Sequence, residues 1–109
     1  MKVRAYDGLF VAVTEDVVDH VVRKHSEVLS LLGLARKGFV ELLRNVLEES
    51  NEVYADVYGS KYFLKKLNDL YLNVIVSEEI VKTAYLIVLE RILKCARGYQ
   101  WNRLVALSL

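Results

Sequence analysis

Proline is missing from this chain altogether, and cysteine, methionine and tryptophan occur once each. Without proline, turns and helix stops fall to Gly, Asn, Asp and Ser, and there are only five glycines. A lone Cys95 excludes an internal disulfide and a cysteine-based zinc site. No apolar run approaches the length needed to span a bilayer. The opening Met1-Lys2-Val3-Arg4-Ala5-Tyr6-Asp7 is broken by charge too soon for a signal peptide, so the cytoplasm is the expected compartment and no membrane partner is expected. A Gly-rich phosphate loop, a Gly-x-Ser-x-Gly elbow and an HExxH pair are all lacking, and neither a cofactor nor a bound metal is expected.

What is present suits a single folded domain spanning 1–109, with 54% apolar and 27% charged residues. The net charge of +1 conceals an asymmetry. Residues 14–56 carry five Lys/Arg against nine Asp/Glu, whereas residues 57–109 carry eight against four. A basic half on a nearly neutral chain is consistent with a local anion-binding surface, although an ordinary solvated surface also accounts for it.

Residues 2–13 read as two short strands around Asp7-Gly8, a dipeptide suited to a tight hairpin. Thr14 is placed to cap a helix whose first turn carries Glu15 and Asp16, where the helix dipole favours negative charge. Val17, Val18, Val21, Val22, His25, Val28, Leu29 and Leu32 then recur at helical spacing up to Gly33, a stop in the left-handed conformation. A second helix is expected from about Ala35 to Glu49, with Phe39, Leu42, Leu43, Val46 and Leu47 as its apolar stripe. Four strand-like runs follow: Glu52–Tyr58, Lys61–Lys66, Leu70–Val76 and Ile80 to about Val88, joined by short turns. Short connections imply an antiparallel meander. Residues 89–98 fit either a helix or a strand extension ended by Gly98, and Tyr99 to Leu109 reads as a final strand or packed tail. The expected fold is therefore α+β, two helices on one face of a four- to five-stranded antiparallel sheet.

Two histidines are the first candidates for chemistry. On a continuous helix His25 falls mid-stripe among valines, which makes it a structural residue unless the helix ends near Ser26 and turns the ring to the sheet edge. His20 lies about 140° away, on the polar face beside Arg23 and Lys24, its i+3 and i+4 neighbours. An exposed His on a charged face is the simpler reading of that geometry; an acid or base near neutral pH is the functional one. On the sheet, if the aliphatic sets face the helices, the open face collects Tyr54, Tyr58, Lys61, Phe63, Lys65, Tyr71 and Asn73. In the next strand Thr83 and Tyr85 alternate with Lys82 and Ala84, and either pair could face outward. Rings interleaved with lysines suit single-stranded RNA, the rings stacking on bases and the ammonium groups neutralising phosphates. Tyrosine is also a good strand former in its own right.

The order of these parts resembles a known family. His20-Val-Val-Arg-Lys-His25-Ser-Glu-Val28 is similar to a His-x-x-x-Arg-His-Pro-Glu helix, and Tyr54-Ala-Asp56, Tyr62-Phe-Leu-Lys65 and Val81-Lys-Thr-Ala-Tyr85 are similar to the strands that follow it. Over residues 14–88 the chain looks like the phage-associated, RelE-like nuclease group of the barnase–EndoU–colicin–RelE fold. The resemblance implies two helices followed by a four-stranded antiparallel sheet. It also implies a metal-independent ribonuclease, toxin-like or a phage-borne effector, in which the 2′-hydroxyl attacks the adjacent phosphate. It implies an antitoxin or immunity protein as a partner. Carried over by position, His20 would be the acid or base, Lys24 and Lys65 would steady phosphate, Thr83 would position substrate and Tyr85 would assist. Arg23, Lys61, Lys82 and Tyr71 join them as RNA contacts, and His25 stays structural. Ser26 stands where the family has proline, and Lys24 where it has arginine, which removes a bidentate phosphate fork. The competing expectations are a non-catalytic RNA-binding or protein-interaction module, and a homo-oligomeric structural protein built on Leu104 to Leu109.

Overall fold

In the computed structural model, residues 1–50 and 52–103 are described. The chain begins with a hairpin, β1 (Lys2–Arg4) and β2 (Phe10–Ala12). Gly8, at φ 90°, makes the reversal, and the Asp7 carboxylate accepts from the Leu9 amide. Three helices follow: α1 (Glu15–Lys24), α2 (Ser26–Leu32) and α3 (Arg36–Glu49). The meander is β3 (Glu52–Ala55), β4 (Lys61–Leu67), β5 (Leu70–Ser77) and β6 (Ile80–Ile87), after which come α4 (Leu89–Gly98) and β7 (Asn102–Arg103). Among the described residues no helix is long and apolar enough to cross a membrane.

This is α+β, but not the antiparallel sheet of four to five strands with two helices on one face. The sheet is mixed, ordered β1-β2-β6-β5-β4-β3-β7, six strands and a two-residue edge. β2 runs parallel to β6, paired at Ala12↔Ile80. Its anchor is the β5–β6 turn, where the Glu79 carbonyl accepts from the Ala12 amide at 2.8 Å. That turn holds both central residues at positive φ, Glu78 at 55° and Glu79 at 64°, the conformation that matches the twist of a two-residue hairpin but strains side chains other than Gly, Asn or Asp. Among the described residues four helices, not two, cover the sheet, and they lie on both of its faces.

The main core fills the space between α1–α3 and one face. Val17, Val18 and Val21 of α1, Val28 of α2, and Phe39, Leu43, Val46 and Leu47 of α3 meet Val53, Phe63, Leu72, Val74, Val76, Val81 and Ala84. Phe39, Leu43 and Phe63 have no exposed surface, and each such side chain stabilises the fold by roughly 1.5–3 kcal/mol on burial. On the outside of this layer Arg36 donates to Glu15 at 2.7 Å and to Asp19 at 2.5 Å, joining the start of α3 to α1.

The second core is smaller. α4 lies over the opposite face, where Leu64, Ile87 and Ile92 are buried with Tyr54, Tyr71, Tyr85, Cys95 and Trp101 packed around them. Trp101 stacks on Tyr62 with ring centroids 4.1 Å apart and on Tyr54 at 5.5 Å. Tyr62 donates its hydroxyl to Asp56 at 2.7 Å, and the same carboxylate accepts from the amides of Tyr58 and Ser60, which ends β3 early at Ala55. The helix runs on through Gly98, and the chain turns instead at Gln100, φ 54°.

Two further expectations change. β4 is turned over: Phe63 opposes Val74 and Val53 in the main core, so Lys61 and Lys65 share its side, while Tyr62 and Leu64 face α4. The single helix ending at Gly33 is broken at His25, φ −131° and ψ 47°. Gly33 does end α2 in the left-handed conformation. The tail expected from Leu104 to Leu109 lies outside the described residues.

Candidate functional site

The break at His25 builds the site. Thr14 caps α1 through the Val17 amide, and the helix stops one turn after His20. Leaving the helix, the His25 side chain is no longer among the valines of the stripe. Its ring centroid lies 5.8 Å from that of His20, edge to face, and 5.5 Å from that of Tyr85. Its side chain remains 30% exposed, and its Nδ1 is 3.6 Å from the Glu27 carboxylate, ion-pair range for a protonated ring. His20 is half-buried, not fully exposed on a polar face.

β6 makes this contact available. Beyond its pairing with β2 at Ile80 the strand packs against α1 and α2, and Tyr85 makes ring contact with His25 at the elbow between them. The Tyr85 oxygen accepts from the amide of Asn73, the residue opposite it on β5, at 3.4 Å. Burial pushes the Tyr85 phenol above its ordinary value, so near neutral pH it is a hydrogen-bond donor. Asn73 is buried, and its Oδ1 has no partner among the described residues; neither has the buried Oγ1 of Thr83, on the same face of β6 as Tyr85. A buried polar atom without a partner costs about 1–3 kcal/mol, so such a pair marks a surface that the fold has not optimised for stability.

Past Tyr85 an open cleft of about 320 Å³ runs between the end of β6 and α4, lined by Tyr85, Leu86, Ile87, Val88, Arg91 and Cys95. Arg23 and Lys24 are exposed in the last turn of α1, one turn from His20.

His20, His25 and Tyr85 are thus brought together, with Thr83 and Asn73 on the strand face behind Tyr85. Arg23 and Lys24 adjoin them on α1, while the remaining residues named from sequence lie elsewhere. Lys65 is on the α3 side, its ammonium bonded to the Asn45 side chain at 2.6 Å. Lys61 is on that side as well, paired with Asp7 at 2.8 Å. Lys82 is exposed at the β-bulge where the β5–β6 register shifts. Tyr71 belongs to the small core under α4. Sequence reasoning missed Asn73 as a partner of Tyr85 and missed Arg91; it gave His25 to the core unless the helix ended near Ser26, and the helix does end there, with Ser26-Glu27 as an ordinary helix start directly behind it.

No family model, no curated protein and no solved structure matches the chain.

Proposed function

We propose that this protein is a ribonuclease that cleaves single-stranded RNA by general acid–base chemistry at the His20–His25 pair. The observation that carries the reading is the pair itself: two partly exposed imidazoles with centroids 5.8 Å apart, the second in ring contact with a protonated tyrosine. Imidazole is the side chain able to take either protonation state near neutral pH, and two of them at one phosphodiester can supply base and acid together. The order of motifs that resembles RelE-like nucleases, which contains both histidines, supports the same reading.

The chemistry follows from those groups. A neutral imidazole takes the proton of the ribose 2′-hydroxyl as its oxygen attacks the adjacent phosphorus. The bond from phosphorus to the 5′-oxygen breaks, and the other ring, as imidazolium, gives that oxygen a proton. The products are a 2′,3′-cyclic phosphate and a 5′-hydroxyl end, with no net oxidation and no metal required. Lys24 and Arg23 stand one turn along α1 from His20, where cations stabilise charge that develops on the phosphate oxygens. The Tyr85 hydroxyl is a further donor. Lys65 has no part in this scheme, because Asn45 holds its ammonium on the far face of the sheet.

The test is incubation of the purified protein with single-stranded RNA in the presence of a chelator, with the ends mapped. Fragments ending in 2′,3′-cyclic phosphate are expected. RNA that is bound in a salt-dependent way and left intact would replace cleavage with binding, and RNA neither bound nor cut would remove nucleic acid from the account.

A further inference from the structure

The ribonuclease reading leaves α4 without a role, yet among the described residues α4 contributes the one charge that lines the cleft beside Tyr85. That charge is Arg91. Arg91 is exposed, and no carboxylate pairs with it among the described residues. Tyr85, which also lines the cleft, has its oxygen occupied by the Asn73 amide, and its proton has no acceptor among the described residues. Burial keeps that phenol protonated. An unpaired guanidinium and a free hydroxyl donor lining one cleft suit an anion that accepts hydrogen bonds, and planar, forked donation is how arginine holds phosphate. Ile87 and Val88 supply apolar wall around them, the usual setting for a few polar groups in a small-ligand site.

We propose that Arg91 and the Tyr85 hydroxyl form a phosphate-binding subsite for the RNA strand, adjoining the imidazole pair. The proposal rests on the ribonuclease reading for its ligand, and it extends the site from the α1–α2 elbow across β6 to α4. Arg91 touches a backbone phosphate and contributes charge. Tyr85 contributes a neutral hydrogen bond.

Those two contributions separate in a salt titration. The probe is an end-labelled, fully 2′-O-methylated RNA oligonucleotide, which cannot be cleaved, followed by fluorescence anisotropy as salt is raised. Each phosphate contact by a cation on a single strand contributes about 0.7 to the slope of log affinity against log salt. Arg91→Ala should flatten the slope by about 0.7, and Arg91→Lys, which keeps the charge but not the fork, should restore it at lower affinity. Tyr85→Phe should weaken binding with the slope unchanged. Melting temperatures check that each variant is folded. If the unaltered protein binds the probe and Arg91→Ala binds with the same slope and affinity, the subsite is wrong and the ribonuclease reading stands. If the unaltered protein binds no RNA, both fall together.

Discussion

The bond from Tyr62 to Asp56 is where stability can be tested most cleanly, because a single oxygen is removed and everything around it is retained. Tyr62 is 8% exposed and Asp56 9%. Burial works to raise the Asp56 carboxyl, but the Tyr62 hydroxyl and the amides of Ser60, Tyr58 and Gly59 outweigh it, and the group sits below its ordinary value. The phenol moves the other way: burial, and then the carboxylate, hold its proton well above the usual range. Tyr62→Phe keeps the ring and its stack on Trp101 and deletes the bond. Hydrogen bonds to a charged group contribute about 1.5–3 kcal/mol. With an unfolding entropy of about 0.23 kcal/mol/K for 109 residues, a loss of ~2 kcal/mol lowers the melting temperature by roughly 9 °C. Trp101, the sole tryptophan, reports the transition by its fluorescence. The pH dependence gives a second check. A carboxyl depressed in the folded state stabilises above its unfolded value of about 4, and that contribution is lost as pH falls through the folded value. The gap between the two proteins should therefore be widest near pH 7 and close under acid. A variant that melts at the same temperature as the parent, or a gap that does not change with pH, would refute the reasoning.

Two other substitutions test the placement of side chains. Lys65→Ala should leave kcat/KM for RNA unchanged and cost about 1 kcal/mol of stability through the lost bond to Asn45, measured by thermal melting beside the cleavage assay. Thr83→Val should raise the melting temperature by a few degrees, since it replaces a buried, unpartnered hydroxyl with a methyl group of similar size, a gain of up to about 1 kcal/mol; a lower melting temperature would mean the hydroxyl has a partner.

The parts of the fold legible in the sequence are those with one buried face. β5 alternates Leu72, Val74 and Val76 against Tyr71, Asn73 and Ile75, and the aliphatic set does face the helices. The stripe of α3 and the stop at Gly33 are legible for the same reason. β4 is not, because Tyr62, Phe63 and Leu64 are all buried, in two different cores, and a strand buried on both faces carries no alternation to read. The parallel pairing of Ala12 with Ile80 joins segments far apart in the chain and leaves no local mark in either. α4 was ambiguous because it is short and its apolar spacing is only partly used: Ile92 is buried, while Leu89 and Leu93 stay exposed. In the site, His20 was visible as a histidine beside two cations. His25 was hidden by its own periodicity: on an unbroken helix it belongs to the valine stripe, and only the break at that residue sends the ring to Tyr85. No Gly or Pro announces the break.

The central claim is that His20 and His25 act as one catalytic unit, and a double-mutant cycle on kcat/KM for RNA cleavage tests it most directly. His20→Ala and His25→Ala should each lower kcat/KM by about 10²–10⁴-fold, and the double variant should be little worse than the poorer single one, since groups that share one proton-transfer chemistry are not additive. A His25→Ala protein that folds and cleaves RNA at the full rate would contradict the account.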